Sequence, residues 1–314
     1  MICALSTLLA GAAAWTVPQL STSLAVSSLA TRCDHPNMCG ILAVSGSKTS
    51  SDALRLQTLT LQRLIRHRGP DGSGVHVMEN QDGTHSAIAH ERLAIMDPLS
   101  GNQPLFSKDG KLSLAVNGEI YNYKELRARV NDESKFRTFS DCEPIVHLYE
   151  QVGEEVASLL DGDFALVIMN EDTGELYAAR DPVGVNSLYW GTGLDGATWF
   201  ASEAKPLVTA GCLDVEMFPP GHYYTTTGSQ ARVSLGGTAV SSVLQVYIYI
   251  YIYMYVYVYV YIYQARLAGR NGRLVKYYNP EWADVAHATK PIDLPLLQQT
   301  FMNAVSKRMM ADVP

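Results

Sequence analysis

Residues 246–263, VYIYIYIYMYVYVYVYIY, limit what this chain can fold into more than any other stretch. Taken as one strand they would run about 60 Å at ~3.3 Å per residue, several times the length of an ordinary strand. Taken as a membrane span they are long enough, but a tyrosine at every second position sets phenol oxygens at all depths instead of at the two interfaces. Neither element suits them, and the codons offer a third origin. Tyr, Ile, Val and Met can be written TAT, ATA, GTA and ATG, so a TA/TG dinucleotide repeat yields this alternation in one reading frame. The expectation is that residues 229–271 are translated intron, a hypothesis that sequencing the mature transcript tests: an mRNA carrying the repeat would sink it. If translated, these uncharged alternating β-formers are an aggregation hazard. A globular fold has to be assembled from the residues on either side.

Half of the chain's 18 tyrosines lie in that segment, so the 47% hydrophobic share overstates the core. A net charge of -7 and the lack of any dense Lys/Arg run argue against a nucleic-acid surface and favour small-molecule chemistry. The five cysteines, at 3, 33, 39, 142 and 212, form no CxxC pair and no His-rich cluster, so neither a metal site nor a disulfide framework is expected. No membrane partner is expected, and a reducing, cytoplasmic compartment fits best.

The first 37 residues are apolar, rich in Ser, Thr and Ala, and carry no basic residue before Arg32. They read as a false start, a transit or signal segment that would make the destination an organelle, or a removed pro-segment. The expected organisation is an extension over 1–38, a globular domain over 39–228, the insert over 229–271, and a linker with one helix over 272–314.

Within the globular part, 39–45 suits a buried strand. Ser51 or Asp52 can cap a helix with Leu54, Leu61, Leu64 and Ile65 on one side, and RHRGPDGSG reads as a loop. Strands are expected over 86–95, 112–116, 164–169, 176–179 and 198–201, helices over 124–130, 143–151 and 203–210. The last helix, 294–310, should carry an apolar face of Leu297, Phe301, Ala304 and Val305. Strands grouped between helices without regular βαβ alternation give an α+β fold of layered sheets covered by helices.

Cys39 stands directly after Met38. A cysteine at a mature N-terminus has a built-in base, because its α-amino group has a reference pKa of about 7.7 to 8 and can exchange a proton with its own side chain. The bland alternative is a buried free thiol. Asn117-Gly118, after an alternating strand, reads either as a tight hairpin turn or as an amide and a backbone N–H aimed at an oxyanion. Arg92 follows a strand, and Asp141 precedes a helix where it could simply be an N-cap. An amino-acid substrate needs a cation for its carboxylate and an anion for its ammonium, which Arg92 and Asp141 could supply.

MCGILAV, RHRGPDGSG, HERLAIMDPLSGNQPL, LAVNGEIYN, SDCEPIVHLYE, LDGDFALVI, ARDPVGVNSLYWG, FASEAKPLV and PPGHYY occur here in order. Together they closely resemble glutamine-hydrolysing asparagine synthetase, over about 38–228 and again over 272–314. The resemblance implies an N-terminal-nucleophile αββα sandwich followed by only the beginning of an α/β synthetase domain. It implies Cys39 as the nucleophile that hydrolyses L-glutamine to glutamate and ammonia, and Asn117 and Gly118 as the oxyanion hole. It implies Arg92 and Asp141 as holders of the glutamine carboxylate and amine, with Leu93, Ala94, Ile95, Met96 and Glu119 lining the pocket. No cofactor is implied for that half; ATP, Mg and L-aspartate belong to the family's synthetase domain, and a homodimer is a further possibility.

Two departures qualify this. Phe139 stands where a small residue is usual and could crowd the pocket mouth or alter a loop. The family's SGGxDS pyrophosphate loop, which would cradle ATP on backbone N–H groups, has no counterpart, since no SGG occurs in the sequence. The chain is therefore expected to be the ammonia-producing half. Two alternatives stay open: a non-catalytic truncated or pseudogene product, because a peptide-bonded Cys39 nitrogen has no basicity, and an amidotransferase with another acceptor.

Overall fold

Apolar runs without polar alternation, such as ILAV at 41–44 and FALVIM at 164–169, require strands covered on both faces. The computed structural model has that arrangement. It describes residues 38–227, 272–280 and 292–312, all within the unit His35–Pro314. Residues 1–37 and the expected insert at 229–271 lie outside the described residues.

Two antiparallel sheets of six strands each are stacked. The first contains β1 (Gly40–Ser47), β2 (Gly72–Glu79), β3 (His85–Arg92), β8 (Tyr189–Thr192), β9 (Thr198–Ala201) and β10 (Leu213–Met217), in the order β10-β8-β9-β1-β3-β2. The second contains β4 (Leu105–Phe106), β5 (Leu112–Ile120), β6 (Gly162–Asn170), β7 (Leu176–Arg180), β11 (His222–Thr225) and β12 (Arg273–Lys276), in the order β12-β11-β7-β6-β5-β4.

Strand parity sorts the apolar runs into three cores. Ile41 and Ala43 of β1 meet Ala165 and Val167 of β6 between the sheets, with Trp190, Phe200, Phe218 and Tyr224 filling the rest. Leu42 and Val44 point the other way, to a layer formed by α1 (Ser51–Gln62) and α5 (Ala204–Thr209). Leu114, Val116, Leu166 and Ile168 face α2 (Tyr123–Val130), α3 (Glu143–Val152) and α4 (Val156–Leu159). The layers are helix, sheet, sheet, helix.

Several expectations need correction. RHRGPDGSG is a loop only in its first part, because Gly72 and Gly74 open β2 and pair with Arg92 and His90. Glycine is required there by proximity: a Cβ on Gly74 would lie 2.1 Å from the Gln103 carbonyl oxygen. The strand expected over 86–95 ends at Arg92. Residues 272–280, expected as linker, supply β12, which covers the edge of β11 and packs Leu274 against the intersheet core. The last helix, α6 (Leu294–Lys307), forms with Asp293 as its N-cap, accepting from Leu296 N at 3.0 Å. Its expected apolar face stays uncovered, with Leu297 58% and Phe301 66% exposed. Among the described residues no helix is long and apolar enough to cross a membrane, and no three His, Cys, Asp or Glu side chains gather to hold a metal ion.

Candidate active site

The same parity brings the predicted groups together. Cys39 precedes Ile41 by two residues and continues the intersheet face of β1. Asn117 and Glu119 follow Ala115 at the same parity on β5. His90 joins the sheets nearby, its Nε2 2.9 Å from the Val116 carbonyl oxygen; burial holds its pKa down to about 4, so the ring is neutral. At this end of the sandwich is a cavity of about 290 Å³ lined by Cys39, Arg92, Asn117, Gly118, Glu119, Asp141 and others.

Cys39 is held from two directions. Its Sγ accepts from the Leu93 N–H at 3.3 Å, and Arg68 Nε donates to its carbonyl oxygen at 3.0 Å. Burial pushes the thiol up to about 11, against the Leu93 hydrogen bond and the nearby positive charges of Arg92 and Arg68. A thiol so shifted is protonated at neutral pH. No histidine or lysine is among the described residues lining the cavity.

Of the two readings of Asn117-Gly118, the hairpin turn does not hold. β5 continues through both residues to Ile120, pairing them with Ala165 and Phe164 of β6. Gly118, at φ 153°, lies so close to β6 that a Cβ would sit 2.1 Å from the Asp163 carbonyl oxygen. Asn117 is buried, and among the described residues its Nδ2 has no hydrogen-bond partner. A buried donor left unpaired costs ~1–3 kcal/mol, so this amide is set to donate to whatever enters. Asp141 accepts from the Ile120 N–H at 2.8 Å, while burial pushes its carboxyl above the ordinary range. Glu119 is raised as well, by burial and by the charges of Asp141 and Asp163.

Arg92 is more committed than the sequence implies. Nη1 donates to Pro98 O at 3.2 Å and Asn102 Oδ1 at 3.0 Å, and Nη2 donates to Met96 O at 3.0 Å and Asp97 O at 2.6 Å. The guanidinium therefore moulds the 93–102 loop, with Nε as its remaining donor. Of that loop, Leu93, Ile95 and Met96 line the cavity. Ala94 is not among the lining residues; its N–H donates to Asp71 Oδ2 at 2.9 Å. Phe139 does not crowd the mouth either: its side chain is exposed, while its N–H donates to Asp97 Oδ2 at 2.8 Å.

A model of the glutamine amidotransferase domain matches residues 38–233. The chain belongs to this domain family. Among curated relatives of this amidotransferase, asparagine synthetase [glutamine-hydrolyzing] 3 of Arabidopsis thaliana is 41% identical over 277 residues, covering 88% of this chain and 39% of the relative. The asparagine synthetase of Zea mays is 39% identical over the same shares. The chain thus spans about two fifths of the length of the curated relatives it matches. Among solved structures, the allosteric regulatory enzyme of purine biosynthesis aligns with TM-score 0.51 and 26% identity over 60% of this chain and 47% of that one. The glutamine phosphoribosylpyrophosphate amidotransferase from B. subtilis gives 0.50 and 26% over the same shares. The fold is the N-terminal-nucleophile αββα sandwich.

The amidotransferase cavity also holds residues that sequence reasoning missed. Arg308, just past α6, reaches Asp163 at 3.1 Å and lies over the Tyr121 ring, whose hydroxyl donates to Asp163 at 2.6 Å. The segment after it fastens to the loop: Asp312 N–H donates to Ile95 O at 3.1 Å, and Asp97 N–H donates to Asp312 Oδ2 at 2.8 Å. No local signal in the sequence connects these distant stretches. Asn186, inside ARDPVGVNSLYWG, also lines the cavity, and the motif is the signal in the sequence that points to it.

Proposed function

We propose that this chain hydrolyses L-glutamine, with Cys39 as nucleophile once Met38 and everything before it are gone. The observation that carries the reading is the shared cavity: the Cys39 sulfur, an unpaired buried Asn117 amide and the buried Asp141 carboxylate meet in one pocket of an amidotransferase domain. The freed α-amino group of Cys39 takes the thiol proton as sulfur attacks the side-chain amide carbon, and the carbonyl electron pair moves to oxygen. Asn117 Nδ2 and the Gly118 N–H receive that oxyanion. On collapse, the C–N bond breaks and the ammonium of Cys39 returns the proton to the nitrogen, releasing ammonia and leaving a thioester. Water adds to the thioester, its proton passes through the same amine to sulfur, and glutamate leaves. Asp141 holds the substrate ammonium and Arg92, through Nε, its carboxylate; Leu93, Ile95, Met96 and Glu119 shape the surroundings.

The reading extends to a glutamine-hydrolysing asparagine synthetase, in which the ammonia amidates aspartate at the expense of ATP, with Mg²⁺ as cofactor. No step of the hydrolysis passes through either. An acceptor of the phosphoribosyl class is less well supported, since the synthetase relatives are 41% identical and the solved purine enzymes 26%. A cytoplasmic location and a homodimer belong to the same proposal, open to cell fractionation and sedimentation.

The test combines N-terminal analysis with a glutaminase assay. A chain beginning at Cys39 should be active, with kcat/KM rising as the α-amino group deprotonates near pH about 7.7 to 8. Cys39→Ala should abolish activity, and a fully active chain that retains residues 1–38 would refute the mechanism.

A further inference from the structure

Among the described residues, two buried side-chain atoms on the cavity wall lack a hydrogen-bond partner, and they are opposite in kind: Nδ2 of Asn117, a donor, and Oδ1 of Asn186, an acceptor. Their residues are 1% and 2% exposed, so bulk water does not satisfy them. A primary carboxamide presents the complementary pair on one carbon, a carbonyl oxygen and an NH₂ group.

We propose that Asn186 Oδ1 accepts a hydrogen bond from the amide nitrogen of the bound glutamine side chain, opposite the bond from Asn117 to its carbonyl oxygen. This rests on the glutaminase reading above and adds the group that recognises the leaving nitrogen. The loop that carries Asn186 is built to hold it still. Its N–H donates to Asp181 Oδ2 at 3.2 Å, and its carbonyl oxygen accepts from Arg180 Nε at 2.6 Å. Arg180 also donates to Gly184 O and Phe218 O, each at 2.7 Å, and Asp181 Oδ1 accepts from the N–H groups of Val183 and Val185 at 3.0 and 3.1 Å. A fixed acceptor at this point distinguishes amide from acid. Glutamate, whose ionised side chain offers only acceptors, would set a carboxylate oxygen against Asn186 Oδ1, which favours substrate entry and product departure.

The experiment uses the chain beginning at Cys39, which lies within the unit His35–Pro314, and compares L-glutamine with L-glutamic acid γ-methyl ester. The ester has the same carbonyl but no N–H on the leaving atom. Asn186→Leu should lower kcat/KM for glutamine by about 10-fold to 100-fold, leave ester hydrolysis undiminished or raise it, and strengthen inhibition by glutamate. Asn186→Thr, which retains an oxygen acceptor and fills less space, should recover part of the glutamine activity. Equal losses on both substrates would mean that Asn186 only supports the loop; no loss on either would mean it does not meet the amide. Either result overturns the inference. Cys39→Ala, run in parallel, tests the underlying reading separately: if it hydrolyses glutamine as fast as the parent, the glutaminase assignment itself fails.

Discussion

The two walls of the cavity are built by different physics. One is strand: Asn117, Gly118 and Glu119 stand on β5, fixed by ladder bonds to β6 so tight that no Cβ fits at Gly118. The other is loop: residues 93–102 have no ladder and take their shape from one buried guanidinium that bonds Met96, Asp97, Pro98 and Asn102. A strand wall can hold an unpaired donor in place because its ladder to β6 already fixes the backbone. A loop wall spends its best donor on itself. The difference suggests that the strand side governs the chemistry and the loop side governs the pocket's existence.

The largest expected effect tests the strand side. In the chain beginning at Cys39, Asn117→Ala should lower kcat for glutamine by about 10²–10³-fold, as removal of an oxyanion donor does, with little change in KM or thermal midpoint. A rise in KM together with falls in kcat and in the midpoint would erase the contrast between the walls. The next concerns Cys39, which lies between them. In the full chain its thiol is raised to about 11, mainly by burial, so it stays protonated below that pH. Its alkylation at pH 8, read by peptide mapping, should be about 100-fold slower than that of an ordinary cysteine and should climb as pH approaches 11. Ordinary reactivity at pH 8 would mean that the cavity does not desolvate it. The smallest effect belongs to the loop side: Arg92→Leu should raise KM about tenfold and lower stability by about 2–4 kcal/mol, since four acceptors lose their donor. Unchanged melting would show that the loop does not depend on the guanidinium.

The parts of the fold legible in the sequence are those where periodicity and burial agree. β1 and β6 are continuous apolar runs because both faces are covered, and α3 is apolar on the side that meets β5 and β6. The strands that escaped notice, such as β8 with YWGT, β10 with LDVEM and β12 with RLVK, are short and mixed, formed by pairing more than by their own preference. β2 was hidden by two glycines that mark a close backbone approach and not a loop. Asn117-Gly118 shows the limit of local signals: the dipeptide reads as a turn, yet the ladder with β6 overrides that preference. The site's near residues, Cys39, Arg92, Asn117, Glu119 and Asp141, were marked by their chemistry and their motifs. Arg308 was not, because its place in the cavity depends on contacts across long stretches of chain. α6 is the converse case, an amphipathic pattern that forms its helix but says nothing of what covers the face.

The bond between Asp97 and Asp312 spans 215 residues. During synthesis, when about 5–20 residues are added each second, the loop wall therefore waits about 10–40 s for the segment that fastens it. The nucleophile and its strand wall are made first, and the pocket is completed only when translation has nearly reached the end of the described chain. Until then the Leu93–Asp97 stretch exists without its clasp, so a nascent chain can carry the thiol well before it can carry the finished pocket.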